Sequence, residues 1–253
     1  MDGRPLLSLI VPAYNEGKRL PQTLPKIIEF VETQSFNFEI IIVDNNSSDD
    51  TRQIAEQFAE KHAFIRVLDE KRQGKGAAVR AGMLEAYGEF LFMADADLSM
   101  PIGEVSKFLP PQLDEYDVAI ASREIEGAVR YDEPAYRHLM GRVFNFIVKV
   151  LAIPGFQDTQ CGFKCFRRHA ALDVLAYQSI DGWAFDVELL FIAQRRGYDI
   201  VEVPIAWYYR ANSRISPISD AFNMFREVLK IRVNGWRGYY DKPESADAGV
   251  EPN

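Results

Sequence analysis

Short runs of mostly apolar residues occur in the first half of the chain, and segments with apolar residues at three- and four-residue spacing separate these runs. The runs cover residues 6–11, 39–43, 64–68, 89–94 and 117–121. The spaced segments cover residues 20–33, 47–61 and 76–87, with a shorter one that starts at Pro101. Continuous apolar runs are typical of strands buried on both faces, and the spaced segments of helices. Their alternation predicts a parallel sheet with helices on both faces.

The second half of the chain has a less regular pattern. Helices are predicted at residues 134–151, 168–177, 185–196 and 219–233, and strands at residues 162–166 and 200–203. Because no internal repeat or low-complexity linker interrupts the chain, we predict one domain over residues 1–240. We expect residues 6–123 to bind a nucleotide and residues 124–240 to face an acceptor or a membrane. Residues 241–253 have no periodic apolar face, which predicts a flexible tail.

Charge and cysteine content narrow the possible functions. The chain has 253 residues and a formal net charge of −8, which argues against a nucleic-acid-binding protein. Basic residues nevertheless outnumber acidic ones in residues 134–169 and 205–240. Cys161 and Cys165 are the two cysteines, and we expect them to be buried structural thiols in a reducing compartment. No secretory leader or stretch of about 18 apolar residues is present, so no membrane-spanning segment is predicted.

Polar residues follow four of the predicted strands. The segments after the strands are Pro12–Glu16, Asp44–Ser47, Asp95–Asp97 and Ser122–Arg123. Asp, Asn and Ser are also common turn formers, which would explain any one of these segments. Because ligands of open parallel sheets bind beyond the carboxyl ends of the strands, the four segments together predict a polar binding site at that edge.

Two acidic residues, Asp95 and Asp97, are separated by one residue immediately after an apolar strand. Two close carboxylates repel each other unless a cation neutralises them. Hard divalent metals bind carboxylate oxygens and leave coordination positions free for substrate phosphates. The pair therefore predicts a Mg²⁺ or Mn²⁺ ion that connects the protein to a diphosphate.

The segment Gln73-Gly74-Lys75-Gly76 precedes a predicted helix. Backbone N–H groups at the helix start, with Lys75 and Arg80, can form an anion site. Close helix packing through small residues is an equally good explanation. The segment lacks the spacing of an NTPase loop, and the first strand does not lead into a dinucleotide-binding glycine fingerprint. His62, His138 and His169 do not lie at strand ends, which argues against a hydrolase triad.

The ordered set of motifs resembles family 2 glycosyltransferases of GT-A fold. The motifs are Val11-Pro-Ala-Tyr-Asn-Glu16, Val43-Asp-Asn-Asn-Ser-Ser-Asp-Asp-Thr51, Gly74-Lys-Gly76 and Asp95-Ala-Asp97. Later segments resemble dolichyl-phosphate and polyprenyl-phosphate glucosyltransferases, namely Asp158-Thr-Gln-Cys-Gly-Phe-Lys164, Trp183-Ala-Phe-Asp-Val-Glu188 and Val201-Glu-Val-Pro204. The resemblance covers about residues 6–235. It implies an α/β GT-A domain with a mostly parallel central sheet flanked by helices.

The resemblance also implies roles for individual residues. The nucleotide sugar is expected to contact Pro12, Tyr14, Glu16, Asp44, Asn46, Lys75, Asp95, Ala96 and Asp97. The metal is expected at Asp95, Asp97 and Ser99, although relatives have Gln at the last position. The donor and acceptor phosphates are expected near Arg123, Arg137, Arg210 and Arg214. Catalytic roles are expected for Asp97, Arg123 and Asp158, with Asp186 as another group that could orient a substrate or act as a base.

The implied reaction moves a hexose, glucose from UDP-glucose, to dolichyl or undecaprenyl phosphate in one inverting displacement. A phosphate monoester is largely ionised near neutral pH and needs no strong base. GDP-mannose is the rival donor. The acceptor could instead be a hydroxyl group, which would need a general base. Outside the enzymes, the sequence also fits a non-catalytic scaffold that binds sugar nucleotides.

A polyprenyl acceptor requires contact with a membrane. The predicted helices at residues 134–151 and 219–233 are basic and amphipathic, and the second precedes Trp236, Tyr239 and Tyr240. Such helices bind well at anionic lipid surfaces, although they could equally cover the sheet. We therefore expect a peripheral enzyme at the cytoplasmic face of a membrane. A membrane-protein partner or a homo-oligomer could contribute to its attachment.

Overall fold

A computed structural model describes residues 4–209 and 219–241, without the side chains of residues 137, 144 and 219–221. The strands are β1 Leu7–Ala13, β2 Phe38–Asp44, β3 Ile65–Asp69, β4 Phe90–Met93, β5 Val118–Ser122, β6 Val129–Tyr131, β7 Lys164–Arg167, β8 Ile200–Pro204 and β9 Ala206–Tyr208. The helices are α1 Leu20–Glu32, α2 Thr51–Lys61, α3 Lys75–Leu84, α4 Ala135–Leu151, α5 Arg168–Leu175, α6 Phe185–Arg195 and α7 Ser219–Trp236. A 3-10 helix, Ile102–Phe108, follows β4.

Seven strands form the central sheet in the order β3-β2-β1-β4-β7-β5-β8. All neighbouring pairs are parallel except those of β7, which runs antiparallel to both β4 and β5. The mostly parallel sheet is therefore confirmed, and the carboxyl ends of β1, β2, β4 and β5 lie at one edge. Because β7 runs the opposite way, its first residue, Lys164, lies at this same edge, opposite Met93 and Ile120.

Side chains that alternate along the strands form two apolar cores, one on each face of the sheet. On one face, Leu9 and Val11 of β1 pack with residues of α1 and the 3-10 helix. On the other face, Ile10 packs with residues of α3, α5 and α6. Burial on both faces explains why most positions of these strands are apolar. The polar exceptions Ser8 and Glu39 are buried, and the Ser8 hydroxyl donates to the Glu39 carboxylate at 2.6 Å.

A separate two-stranded parallel sheet, β6 with β9, lies outside the predicted elements. Each strand has three residues, and most of these residues are partly or fully exposed. The Tyr131 and Tyr208 rings stack at 4.5 Å across the pair. The Tyr208 N–H also donates to the Ser99 carbonyl, so the small sheet adjoins the segment that follows β4.

Candidate functional site

The loops after β1 and β2 are bound to each other at the carboxyl edge of the sheet. The Asn15 N–H donates to Ser47 Oγ at 2.9 Å, and the Ser48 N–H donates to Asn15 Oδ1 at 2.7 Å. Asn15 and Asn46 both have positive φ angles, of 51° and 58°, which asparagine tolerates better than most residues. The turns therefore hold the predicted nucleotide-binding segments side by side.

The predicted nucleotide-binding residues of these two loops differ in exposure. Tyr14 and Asn46 are exposed, whereas Pro12 is half-buried. Glu16 is buried and forms an ion pair with Arg19 at 3.0 Å. Asp44, the last residue of β2, is 4% exposed, and its Oδ1 has no hydrogen-bond partner among the described residues. A buried acceptor without a donor is costly, so this oxygen is well suited to accept a hydrogen bond from a ligand.

Asn45 is a supporting residue that the sequence did not identify. Its side-chain amide donates to the carbonyls of Glu70 and Arg72 at 3.0 and 2.6 Å. Its Oδ1 accepts the Gly74 N–H at 2.8 Å. The strand end that carries Asp44 is thereby connected to the segment that precedes Lys75. Such long-range side-chain contacts have no periodic signature in the sequence.

The two acids after β4 lie at the centre of the site edge. Ala96 between them is buried, and Asp97 Oδ1 accepts the Ser99 N–H at 2.8 Å. The Asp95 carboxylate packs directly against Gly162, where an added Cβ would lie 1.9 Å from Asp95 Oδ2. The sequence motif that contains Gly162 therefore lies against the Asp95–Asp97 pair, although more than 60 residues separate them.

Lys75, the first residue of α3, points to this pair. Its Nζ lies 2.5 Å from Asp95 Oδ1, and its side chain is 18% exposed. Burial alone would lower the pKa of Lys75, but the Asp95, Asp186 and Asp97 carboxylates raise it above the usual value. The side chain is therefore a permanent positive charge at the acidic pair.

Of the two explanations for the turn before α3, the structure favours close packing over a backbone anion site. The Gly76 and Ala77 N–H groups both donate to the Asp181 carbonyl, at 2.8 and 3.3 Å. Arg80 donates to the Leu175 carbonyl instead of facing the site. An added Cβ on Gly76 would lie 2.6 Å from Phe185 Cβ, so close packing through small residues is the correct explanation of this turn.

Arg123 and Asp158 form a buried ion pair beside β5. Arg123 Nε and Nη2 donate to the Asp158 carboxylate at 2.6 and 3.0 Å, and the Arg123 N–H adds a third bond. Burial alone would raise the pKa of Asp158, but its bonds to Arg123 lower it. The Arg123 guanidinium also lies 5.4 Å from the centroid of the Trp207 ring. This arrangement fixes the orientation of Arg123 and keeps Asp158 ionised.

Lys164 and Asp186 form a second buried pair near Asp95. Lys164 has no exposed surface, its Nζ donates to the Cys161 carbonyl at 2.6 Å, and it lies 2.9 Å from Asp186 Oδ1. That contact is an ion pair without hydrogen-bond geometry, so Asp186 Oδ1 has no hydrogen-bond partner among the described residues. Burial raises the pKa of Asp186 although Lys164 and Lys75 oppose the shift.

The remaining predicted phosphate-binding residues are described only in part or lie outside the described residues. Arg137 belongs to the first turn of α4, but its side chain is outside the described part of the structure. Arg210 and Arg214 lie outside the described residues altogether.

Cys161 and Cys165 are buried free thiols, as expected, and burial raises their pKa values to about 11 and about 12.

The donor set at Asp95 and Asp97 fits a hard divalent cation that shares its coordination with a substrate. Within residues 4–209 and 219–241, no three His, Cys, Asp or Glu side chains are arranged to hold a metal by themselves. Mg²⁺ in particular is usually held by one or two carboxylates, with the other positions filled by water and substrate phosphates. The Asp95–Asp97 pair supplies these carboxylates, and the Lys75 contact already places a positive charge at Asp95.

The sheet order and the carboxylates at its edge define an α/β fold of the GT-A type. The chain belongs to glycosyl transferase family 2, whose model matches residues 8–175. It is 34% identical over 250 residues to the dolichyl-phosphate beta-glucosyltransferase of Homo sapiens, with 91% of this chain and 77% of the relative covered. It is 32% identical over 256 residues to the Saccharomyces cerevisiae enzyme of the same name, with 92% and 76% covered.

Solved structures with the same fold include glucosyl-3-phosphoglycerate synthase from Mycobacterium tuberculosis. Its complex with uridine diphosphate superposes with a TM-score of 0.65 at 20% identity, covering 95% of this chain and 82% of that one. Its complex with Mn²⁺, UDP-glucose and phosphoglyceric acid gives a TM-score of 0.64 at 18% identity, with the same coverage. At this identity the likeness establishes the fold alone.

Proposed function

We propose that this chain is an inverting glycosyltransferase that moves glucose from UDP-glucose to a polyprenyl phosphate lipid. The observation that carries the proposal is the convergence of Asp44, Lys75, Asp95 and Asp97 at the carboxyl edge of one sheet. The glucosyl donor and the lipid phosphate acceptor are suggested by the names of relatives that match more than 90% of the chain.

In this proposal the donor lies across the ends of β1, β2 and β4. The nucleoside occupies the space beside Tyr14, and the free Oδ1 of Asp44 accepts a hydrogen bond from it. The diphosphate lies beside Asp95 and Asp97, where Lys75 supplies a positive charge. A bound Mg²⁺ or Mn²⁺ held by Asp95 and Asp97 would act as a Lewis acid that stabilises the departing diphosphate.

The lipid phosphate attacks the anomeric carbon directly because it is already ionised. No protein base is required, and the hydrogen bonding of Asp158 agrees with this, since the side chain or backbone of Arg123 bonds to both carboxylate oxygens. Asp158 therefore orients Arg123, whose fixed guanidinium attracts phosphate groups. Alignment of the two substrates and neutralisation of charge then provide most of the rate enhancement.

The exposed surface of α4 supports contact with a membrane. Leu139, Phe146 and Val150 lie on one side of the helix and are each about two-thirds exposed. Two polar residues of α4 bond to the protein instead, since Asn145 donates to the Gln157 carbonyl and Lys149 donates to Gln157 Oε1 at 2.7 Å, while Arg142 is exposed. A helix that exposes a row of large apolar side chains is expected where lipid covers them.

Helix α7 extends the same kind of surface. Phe222, Phe225, Leu229 and Trp236 are exposed along it, and α4 and α7 are in contact. No helix in the described part of the chain is long and apolar enough to cross a bilayer. We therefore propose that the two helices bind the cytoplasmic face of a membrane peripherally, with their apolar residues in the interface and nearby basic residues at the headgroups.

The function is tested by incubating the purified chain with radiolabelled UDP-glucose, Mn²⁺ and dolichyl or undecaprenyl phosphate in detergent. The expected result is label in the organic phase that depends on the metal and on the lipid. Asp97→Ala is expected to abolish transfer. Asp114→Ala is the matched control, because Asp114 is an exposed carboxylate near the opposite edge of the sheet.

The same assay distinguishes between the possible donors and acceptors. Lipid-linked label from GDP-mannose but not from UDP-glucose would replace the proposed sugar and nucleotide. Label transferred only to water-soluble hydroxyl compounds would exclude the lipid acceptor. Full activity of Asp97→Ala in chelator-treated buffer would exclude the metal role.

A further inference from the structure

We propose that Lys75 occupies the metal position of the proposed donor site when no donor is bound, and moves to the donor diphosphate when the metal binds. The inference rests on the proposed function, because it concerns the same Asp95–Asp97 pair. Its basis is the contact of 2.5 Å between Lys75 Nζ and Asp95 Oδ1, which is closer than most ion pairs. A divalent ion bound by Asp95 would compete with Lys75 for this carboxylate.

The backbone of Lys75 cannot move away to make room. Gly74 has a φ of 138°, and an added Cβ there would lie 2.0 Å from the Asp181 carbonyl oxygen. The Gly74 N–H is held by Asn45 Oδ1, and the Gly76 N–H by the Asp181 carbonyl. Exchange of Lys75 between partners must therefore take place by rotation of its flexible side chain alone.

The surroundings of Lys75 favour retention of its charge in either position. The Trp183 and Phe185 rings lie 5.9 and 6.0 Å from Nζ, within reach of a cation–π attraction. Beyond Asp95 and Asp97, the nearby acid is Asp186, which is already paired with Lys164. No other carboxylate contacts Lys75 among the described residues, so a released Lys75 gains most from an incoming diphosphate.

Coupled binding of metal and nucleotide follows from this competition. Without nucleotide, a divalent ion must displace Lys75 and then remain close to its positive charge, which weakens binding of the bare ion. With a nucleoside diphosphate present, the phosphates attract Lys75 and neutralise both cations. Lys75 therefore makes each ligand increase the affinity for the other, and this coupling is reciprocal.

The test measures Mn²⁺ binding rather than catalysis. The free Mn²⁺ signal is followed by electron paramagnetic resonance during titration with protein, with and without UDP. Lys75→Met is expected to bind bare Mn²⁺ at least about tenfold more tightly than the wild type, because a like charge at contact distance is removed. The enhancement of Mn²⁺ affinity by UDP is expected to shrink by a similar factor.

Three further variants make the result specific. Lys75→Arg keeps the charge and is expected to retain weak binding of the bare ion. Lys71→Met removes an exposed positive charge from the preceding loop and is expected to behave as the wild type. Asp97→Asn is expected to remove Mn²⁺ binding in the presence of UDP. If Lys75→Met fails to fold, as judged by circular dichroism, Lys75→Gln repeats the measurement.

The inference is overturned if the charge-free variants bind bare Mn²⁺ no more tightly than the wild type, or if UDP enhances Mn²⁺ binding in these variants as strongly as in the wild type. Failure of the proposed function has a different signature. In that case UDP and Mn²⁺ bind with the expected coupling, but no glucose reaches a lipid phosphate.

Discussion

The exposed apolar face of α4 gives a quantitative prediction about membrane binding. Leu139, Phe146 and Val150 are 65%, 66% and 65% exposed. Full burial of such side chains contributes about 1.5–3 kcal/mol each, so burial of the exposed two-thirds contributes about 1–2 kcal/mol per residue. Because immersion in an interface is partial, the lower figure applies, and replacement of all three by serine is expected to cost about 3 kcal/mol. This corresponds to a roughly 100-fold weaker partition onto vesicles.

The assay is sedimentation of the purified protein with vesicles that contain anionic phospholipid. The triple variant is expected to remain in the supernatant at lipid concentrations that bind the wild type, with little change in its free energy of unfolding. Activity on polyprenyl phosphate embedded in vesicles should fall in parallel, whereas activity on detergent-dispersed acceptor should be retained. Leu84→Ser and Leu172→Ser, at exposed positions on α3 and α5, are the controls. Equal vesicle binding by the triple variant and the wild type would refute the membrane role of α4.

Two further predictions concern the site itself. Gly162→Ala is expected to reduce transfer at least about 100-fold, because its Cβ would displace the Asp95 carboxylate, while Gly103→Ala, which has open space, should leave kcat/KM unchanged. The pKa of Asp158 is lower in the folded protein than in the unfolded chain, where it is about 3.9. The ionised side chain therefore stabilises the fold above that pH, and this stabilisation is lost as the pH falls through the folded-state pKa. Urea unfolding should therefore show that Asp158→Asn has a much lower free energy of unfolding than the wild type at pH 7, and that this difference narrows below about pH 4. A difference in the free energy of unfolding that does not change with pH would contradict this.

The central strands could be predicted from the sequence because burial on both faces leaves an uninterrupted apolar run, as in Ile40–Val43 of β2. The direction of β7 could not be predicted in the same way. Periodicity reports which faces of a strand are buried but not which way the strand runs, and β7 lies between β4 and β5 in antiparallel orientation. The pair β6 and β9 was missed because three half-exposed residues give no periodic signal.

The site was predictable where it depends on strand ends and was not where it depends on distant contacts. Asp44 and Asp95 follow apolar runs, so the rule for parallel sheets places them at one edge. The turn at Gly76 had two equally good explanations in the sequence, because the partner of the Gly76 and Ala77 N–H groups is the carbonyl of Asp181, a residue more than 100 positions away. Asn45 was missed for the same reason, since its partners belong to the loop after β3.

The polar contacts of α7 connect the proposed lipid surface to the donor site. Glu227 accepts the Ala184 N–H at 3.0 Å, and Lys230 donates to the Ser179 carbonyl at 3.2 Å. Asn234 lies close to Ser179 Oγ, at 3.4 Å. These three residues recur along one side of α7, whereas its exposed apolar residues lie elsewhere on the helix. The helix therefore binds the segment at residues 179–184 through directional bonds as well as through apolar contact, since Val228 and Ile231 belong to the same buried cluster as Ile180 and Ala184.

That segment in turn determines where Lys75 lies. The Asp181 carbonyl accepts the Gly76 and Ala77 N–H groups at the start of α3, and Trp183 faces the Lys75 side chain. Hydrogen bonds have narrow geometric tolerance, so these bonds restrict the position of the segment beyond what apolar packing alone requires. The surface proposed to bind lipid and the lysine proposed to bind diphosphate are therefore held in a fixed relation. A reaction between an ionised lipid phosphate and a bound sugar needs such an alignment more than it needs a base.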